Sequence, residues 1–176
     1  LHRAAYFKWP DICGFLLSQG ARVDTTDASE GCPIYATPLW QAVSSCEDAS
    51  SLQTYGWEDA TVEVLLSYGA DPNLHATDFR YGPPTPLCHL LETRNLLDNR
   101  LPDLVSIVEM LLRSGADPED DPMCGWHGRR LTAEEHARIS RDFFLRRLDD
   151  DTDEVKASYC AAVVDFLAEV RIAGSW

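Results

Sequence analysis

The stretch Leu65-Leu66-Ser67-Tyr68-Gly69-Ala70-Asp71-Pro72-Asn73 closes one helix and prevents it from continuing. Leu65 and Leu66 end a run in which Val62 and Val64 also recur at helical spacing. Gly69 stands where a left-handed residue terminates a helix, and Pro72 cannot prolong one. The phrase recurs as Leu16-Leu17-Ser18-Gln19-Gly20-Ala21, 49 residues earlier, and as Leu111-Leu112-Arg113-Ser114-Gly115-Ala116, 46 residues later. In the third copy Leu104, Val105, Val108 and Met110 precede the leucines with the same helical period. Self-similarity at such a distance is the signature of stacked units, each too small to bury its apolar face alone.

A second phrase alternates with the first: Thr37-Pro38-Leu39 and Thr85-Pro86-Leu87, a degenerate Thr132-Ala133, and a truncated opening copy in Leu1-His2-Arg3-Ala4-Ala5. Threonine is a good N-cap, and proline at the first helical position sacrifices only an amide that has no partner there. The spacing therefore predicts a unit of helix, turn, helix and extended turn.

These residues resemble the ankyrin repeat, with its Thr-Pro-Leu-His-x-Ala first helix, second helix ending in Leu-Leu-x-x-Gly-Ala, and finger. The resemblance spans Leu1 to about Ala137 and implies an all-α, ankyrin-repeat helical solenoid with β-hairpin-like finger loops. It divides one domain, 1–176, into repeats of about 1–36, 37–84 and 85–131 and a degenerate capping repeat, 132–176. The family's histidine position holds Trp40, Cys88 and Glu135. The period exceeds the usual ~33 residues. The excess lies between the helices, at Ser44 to Asp59 and about Arg94 to Asp103, and in the fingers, where 17, 16 and 17 positions separate each Gly from the next Thr. The last unit is charged and irregular, as a terminal repeat facing water should be.

Composition excludes several kinds of work. The 176 residues are 45% hydrophobic and 25% charged, enough apolar material for a folded domain. Fifteen basic against 29 acidic residues give a net charge of −14, the wrong sign for attraction to nucleic acid or an anionic membrane. The most apolar stretch, Tyr159 to Val170, is interrupted by Asp165 and Glu169 and is too short to span a bilayer. Six scattered cysteines without a CxxC pair, and no N-glycosylation sequon, suggest an intracellular protein, cytoplasmic or nuclear. The opening at Leu1, with its truncated first phrase, suggests a piece of something longer.

No reactive constellation stands out. Cys124 and His127 have a zinc-like spacing but lack a second pair, and Glu119-Asp120-Asp121 and 149–154 lack the alternation of a calcium loop. No phosphate-cradling glycine motif occurs, so no catalytic residue, metal or cofactor is expected. What a stacked array offers is a rigid concave surface.

The resemblance puts groove positions at Arg3 and Tyr6, at Gln41 and Ser44, at His89 and Glu92, and at His136. It puts finger-tip positions at Asp27, Glu30, Asp78, Phe79, Arg80, Tyr81, Trp126 and Arg129. The expected function is a noncatalytic protein-protein interaction module that holds a protein segment carrying basic residues, with no nucleic-acid or membrane role. The alternative is a scaffold or substrate-recruiting part of a larger signalling protein or enzyme, such as a ubiquitin-ligase receptor. A Cys- or His-based hydrolase is a third possibility, supported by no particular pair of residues.

Overall fold

The computed structural model describes residues 1–26, 36–44, 59–75, 85–91, 104–119, 131–147 and 151–173. The finger segments 27–35, 76–84 and 120–130, the insertions 45–58 and 92–103, and the site candidates Asp78, Phe79, Arg80, Tyr81, Glu92, Trp126 and Arg129 lie outside them. The described residues form helices α1 (His2–Tyr6), α2 (Pro10–Ser18), α3 (Pro38–Val43), α4 (Asp59–Ser67), α5 (Pro86–Leu91), α6 (Leu104–Arg113), α7 (Ala133–Arg147) and α8 (Asp151–Ala173), with no strand among them.

Both recurring phrases are local solutions to the problem of helix ends. Trp40 N–H donates to Thr37 Oγ1 at 3.2 Å, and Cys88 N–H donates to Thr85 Oγ1 at 3.3 Å. At α7 the arrangement is reciprocal: Glu135 N–H donates to Thr132 Oγ1 at 3.2 Å, and Thr132 N–H to Glu135 Oε2 at 2.9 Å, a capping box. The Glu135 carboxylate thus has a structural task.

At the other phrase, Gly20 N–H donates to Leu17 O and Ala21 N–H to Leu16 O, at 2.9 and 3.1 Å. Gly69 and Ala70 repeat the pair on Leu66 and Leu65, and Gly115 and Ala116 on Leu112 and Leu111. Each is a Schellman closure, which needs positive φ at the glycine; the three values are 88°, 82° and 92°.

The helices pack in two successions. In one, α1 lies against α3, α3 against α5 and α5 against α7; in the other, α2 lies against α4, α4 against α6 and α6 against α8. Within units, α1 packs on α2, α3 on α4 and α7 on α8. One apolar cluster, running from Ala4 in α1 to Leu167 in α8, joins both successions. Its fully buried leucines, among them Leu39, Leu65, Leu87, Leu90 and Leu111, each contribute roughly 1.5–3 kcal/mol by leaving water.

Polar side chains bind the turns after the second helices to one another. Asp24 Oδ1 accepts from Asp71 N–H at 3.1 Å. One unit on, Asn73 Oδ1 accepts from Asp117 N–H and its Nδ2 donates to Gly115 O, both at 2.8 Å. Asp24 and Asn73 occupy the same place relative to their glycines, so the bridge recurs with the phrase.

The C-termini of α3 and α5 are closed by neighbours. Lys8, buried and in the left-handed region at φ 57°, donates from Nζ to Gln41 O and Ser44 O, each at 3.0 Å, and to Ala42 O. An ammonium group at a helix C-terminus complements the helix dipole as well as satisfying its carbonyls. Ser140 Oγ donates to Leu91 O at 2.8 Å.

Candidate protein-binding surface

The sequence-derived groove positions sit at equivalent registers of helices that pack side by side. Relative to the first-helix phrase, Arg3, Gln41, His89 and His136 share one position, and Tyr6, Ser44 and Glu92 another. Exposure falls along the first row: Arg3 is exposed, Gln41 and His89 are half-buried, and His136 is 4% exposed. In the second row Tyr6 is half-buried and Ser44 is 7% exposed. Arg3, Tyr6, Gln41 and His89 are thus the described candidates with surface to offer, whereas Ser44 and His136 are buried.

The junction between α3 and α5 has the most definite geometry. His89 stacks on Trp40 with ring centroids 3.9 Å apart and planes 16° from parallel. Its Nε2 lies 3.1 Å from Ser44 Oγ, which donates to Trp40 O at 2.9 Å.

That chain of bonds decides its chemistry. The Ser44 proton is directed at a carbonyl, so the hydroxyl oxygen accepts from His89 Nε2–H, and this nitrogen has no lone pair with which to act as a base. A serine nucleophile needs the opposite polarity. The pair therefore orients the imidazole and fixes it flat against the indole.

The Trp40 indole Nε1 is buried without an acceptor among the described residues. An unmet donor of this kind costs about 1–3 kcal/mol.

At the α1 end, Tyr6 meets Phe7 edge-on at 5.2 Å, Phe7 stacks with Trp9 at 5.1 Å, and the Arg3 guanidinium lies 5.9 Å from the Phe7 centroid. At the other end α7 carries a shallow groove lined by Ile139, Asp142, Phe143, Arg146 and Arg147. Two of its charges are engaged: Asp142 pairs with Arg141 at 2.8 Å, and Arg147 with Asp153 at 3.5 Å.

The described cysteines are unsuited to nucleophilic work. Cys13, Cys88 and Cys160 are buried free thiols. Burial pushes the Cys160 thiol up to about 12 against the opposing pull of Arg141 and a backbone hydrogen bond. It also raises Cys13, against the positive charges of the amino terminus and Lys8. A thiol held protonated this way neither attacks nor ligates.

Sequence reasoning chose Ser44 and His89 separately, as surface residues, and missed that they meet. Their separation of 45 residues, close to the repeat spacing, carried that information. It also missed Lys8, whose task depends on a left-handed backbone that nothing in its neighbours announces. No helix among the described residues is long and apolar enough to cross a membrane. In comparison with known proteins, the chain matches no family model and no curated protein sequence.

Proposed function

We propose that this chain is a noncatalytic protein-interaction module of the ankyrin-repeat kind, which holds a protein segment along the side of α1, α3 and α5. The observation that carries the reading is the placement of Arg3, Gln41 and His89 at one register of three helices packed in succession. Such a row is rigid before a partner arrives, so little side-chain entropy remains to be lost on binding.

The stacking of His89 on Trp40 supports it, because an imidazole held flat and half-exposed presents a fixed polar edge. The net charge of −14 favours a segment rich in Lys and Arg. The finger-tip aromatics Phe79 and Trp126 belong to the proposed surface on the strength of their sequence positions.

The test is binding of arrayed basic peptides to the intact chain, followed by titration of the best binder against variants. Tyr6→Ala with His89→Ala should weaken the complex at least tenfold with circular dichroism unchanged, and Phe79→Ala with Trp126→Ala should do the same. Affinity unaltered in both double variants would refute the assigned surface.

A further inference from the structure

Three side chains from distant parts of the sequence form one line of hydrogen bonds. Lys8 stands in the turn between α1 and α2, Ser44 closes α3, and His89 belongs to α5. Lys8 Nζ donates to Gln41 O, Ala42 O and Ser44 O, and Ser44 Oγ lies 3.1 Å from His89 Nε2. Ser44 is bonded from both sides.

The Lys8 end of the line is firmly held. Lys8 N–H donates to Ala5 O at 3.1 Å and Trp9 N–H to Ala4 O at 2.9 Å, so the left-handed turn that sends the lysine stem inward is itself closed on α1.

The ammonium group in turn fixes the Ser44 backbone. Ser44 has already left the helix, at φ −75° and ψ 150°, with its N–H on Gln41 O at 3.3 Å. Lys8 bonds that same Gln41 carbonyl and the Ser44 carbonyl as well, each at 3.0 Å. Without the ammonium these buried carbonyls lose a charged donor, and the end of α3 must turn to find another.

A serine hydroxyl follows its backbone, since a single torsion joins them. With the Ser44 proton on Trp40 O at 2.9 Å, its oxygen offers a lone pair to His89 Nε2. The imidazole, flat against the Trp40 indole with ring centroids 3.9 Å apart, has its tilt set by that ring and its proton placed by Ser44.

We propose that Lys8 is a positioning residue which, acting through Ser44, fixes the orientation and tautomer of the half-buried His89 and so the surface that α3 and α5 present. Its effect on binding rests on the surface proposed above; its effect on the imidazole does not.

The test is nitrogen-resolved NMR of the intact chain at mildly alkaline pH. The chain has five histidines and two lysines, Lys8 and Lys156, so His89→Gln and Lys156→Met assign the signals needed. Wild-type His89 should carry its proton on Nε2, and Lys8→Met should shift it towards a mixture of tautomers. Gly69→Ala, destabilised at a distant helix end, should leave the His89 signals unmoved. Unchanged signals in Lys8→Met overturn the proposal, as does an equal change in Gly69→Ala. Coupling is reciprocal, so His89→Gln should shift the Lys8 ammonium resonance, and an unshifted resonance also overturns it. This last measurement holds even where Lys8→Met does not fold. A basic peptide that loses affinity in the Tyr6→Ala, His89→Ala variant should bind Lys8→Met about threefold to tenfold more weakly. Equal affinity would confine Lys8 to the imidazole and overturn its part in binding. A wild type that binds no basic peptide refutes the proposed surface instead, and the spectra still decide the role of Lys8.

Discussion

The same substitution, glycine to alanine, should destabilise this protein at one position and stabilise it at another. Gly69 has φ of 82°, and a Cβ built on it finds no atom within 4 Å. The cost of Gly69→Ala is therefore conformational, about 1–2 kcal/mol for an alanine in the left-handed region. Gly14 lies mid-helix in α2, and its added Cβ makes only an ordinary contact with Val64 Cγ1 at 3.9 Å. There alanine removes the excess backbone freedom of the unfolded chain and stabilises by about 0.5–1 kcal/mol. The two variants should differ by roughly 2 kcal/mol in opposite directions from wild type. Gly69→Asn should fall between them, since asparagine tolerates positive φ better than alanine. Urea denaturation followed by circular dichroism at fixed pH reads the three midpoints. Equal midpoints for Gly69→Ala and Gly14→Ala, or a Gly69→Asn protein weaker than Gly69→Ala, would refute the reading of the closing phrase as a backbone requirement.

Two further outcomes follow from polar contacts. At the bridges between turns, Asp24→Ala should cost about 1 kcal/mol and Asp24→Asn much less, because only an acceptor is used there. Asn73→Asp should cost more than Asp24→Asn, since it replaces the Nδ2 donor with an oxygen 2.8 Å from Gly115 O; thermal melts of the three variants check the order. Cys160 gives a pH dependence. Its thiol is raised from 9.0 to about 12 in the folded protein, so the neutral form favours folding. The contribution is complete below pH 9 and is lost as pH climbs from 9 towards 12. Denaturation at pH 8 and pH 11 should show a smaller alkaline loss in Cys160→Ala than in wild type, and parallel losses would contradict it.

The helix boundaries were legible in the sequence wherever a local rule sets them. Thr37, Thr85 and Thr132 cap helices because an oxygen three residues from an orphan amide needs no long-range information, and Gly20, Gly69 and Gly115 end them for the same reason. The side-by-side packing was legible in a coarser sense, as a recurrence predicting that like helices meet.

What was not legible depends on groups from different units meeting in space. Ser44 was assigned a surface role because its register in the first helix is a groove register, but its hydroxyl bonds the preceding turn of its own helix and the imidazole of the next unit. Beside this hydroxyl the Trp40 ring stacks on His89, so the contact joins groups from two units. Lys8 illustrates the same limit. Read locally, it is a surface cation between aromatic residues; in the fold, its stem runs inward and three carbonyls at the end of α3 surround its ammonium group. Departures from the repeat pattern, not the pattern itself, thus mark where this chain differs from a generic stack. Among the described residues, Lys8 and Trp40 place two such departures at the α1–α3 and α3–α5 junctions.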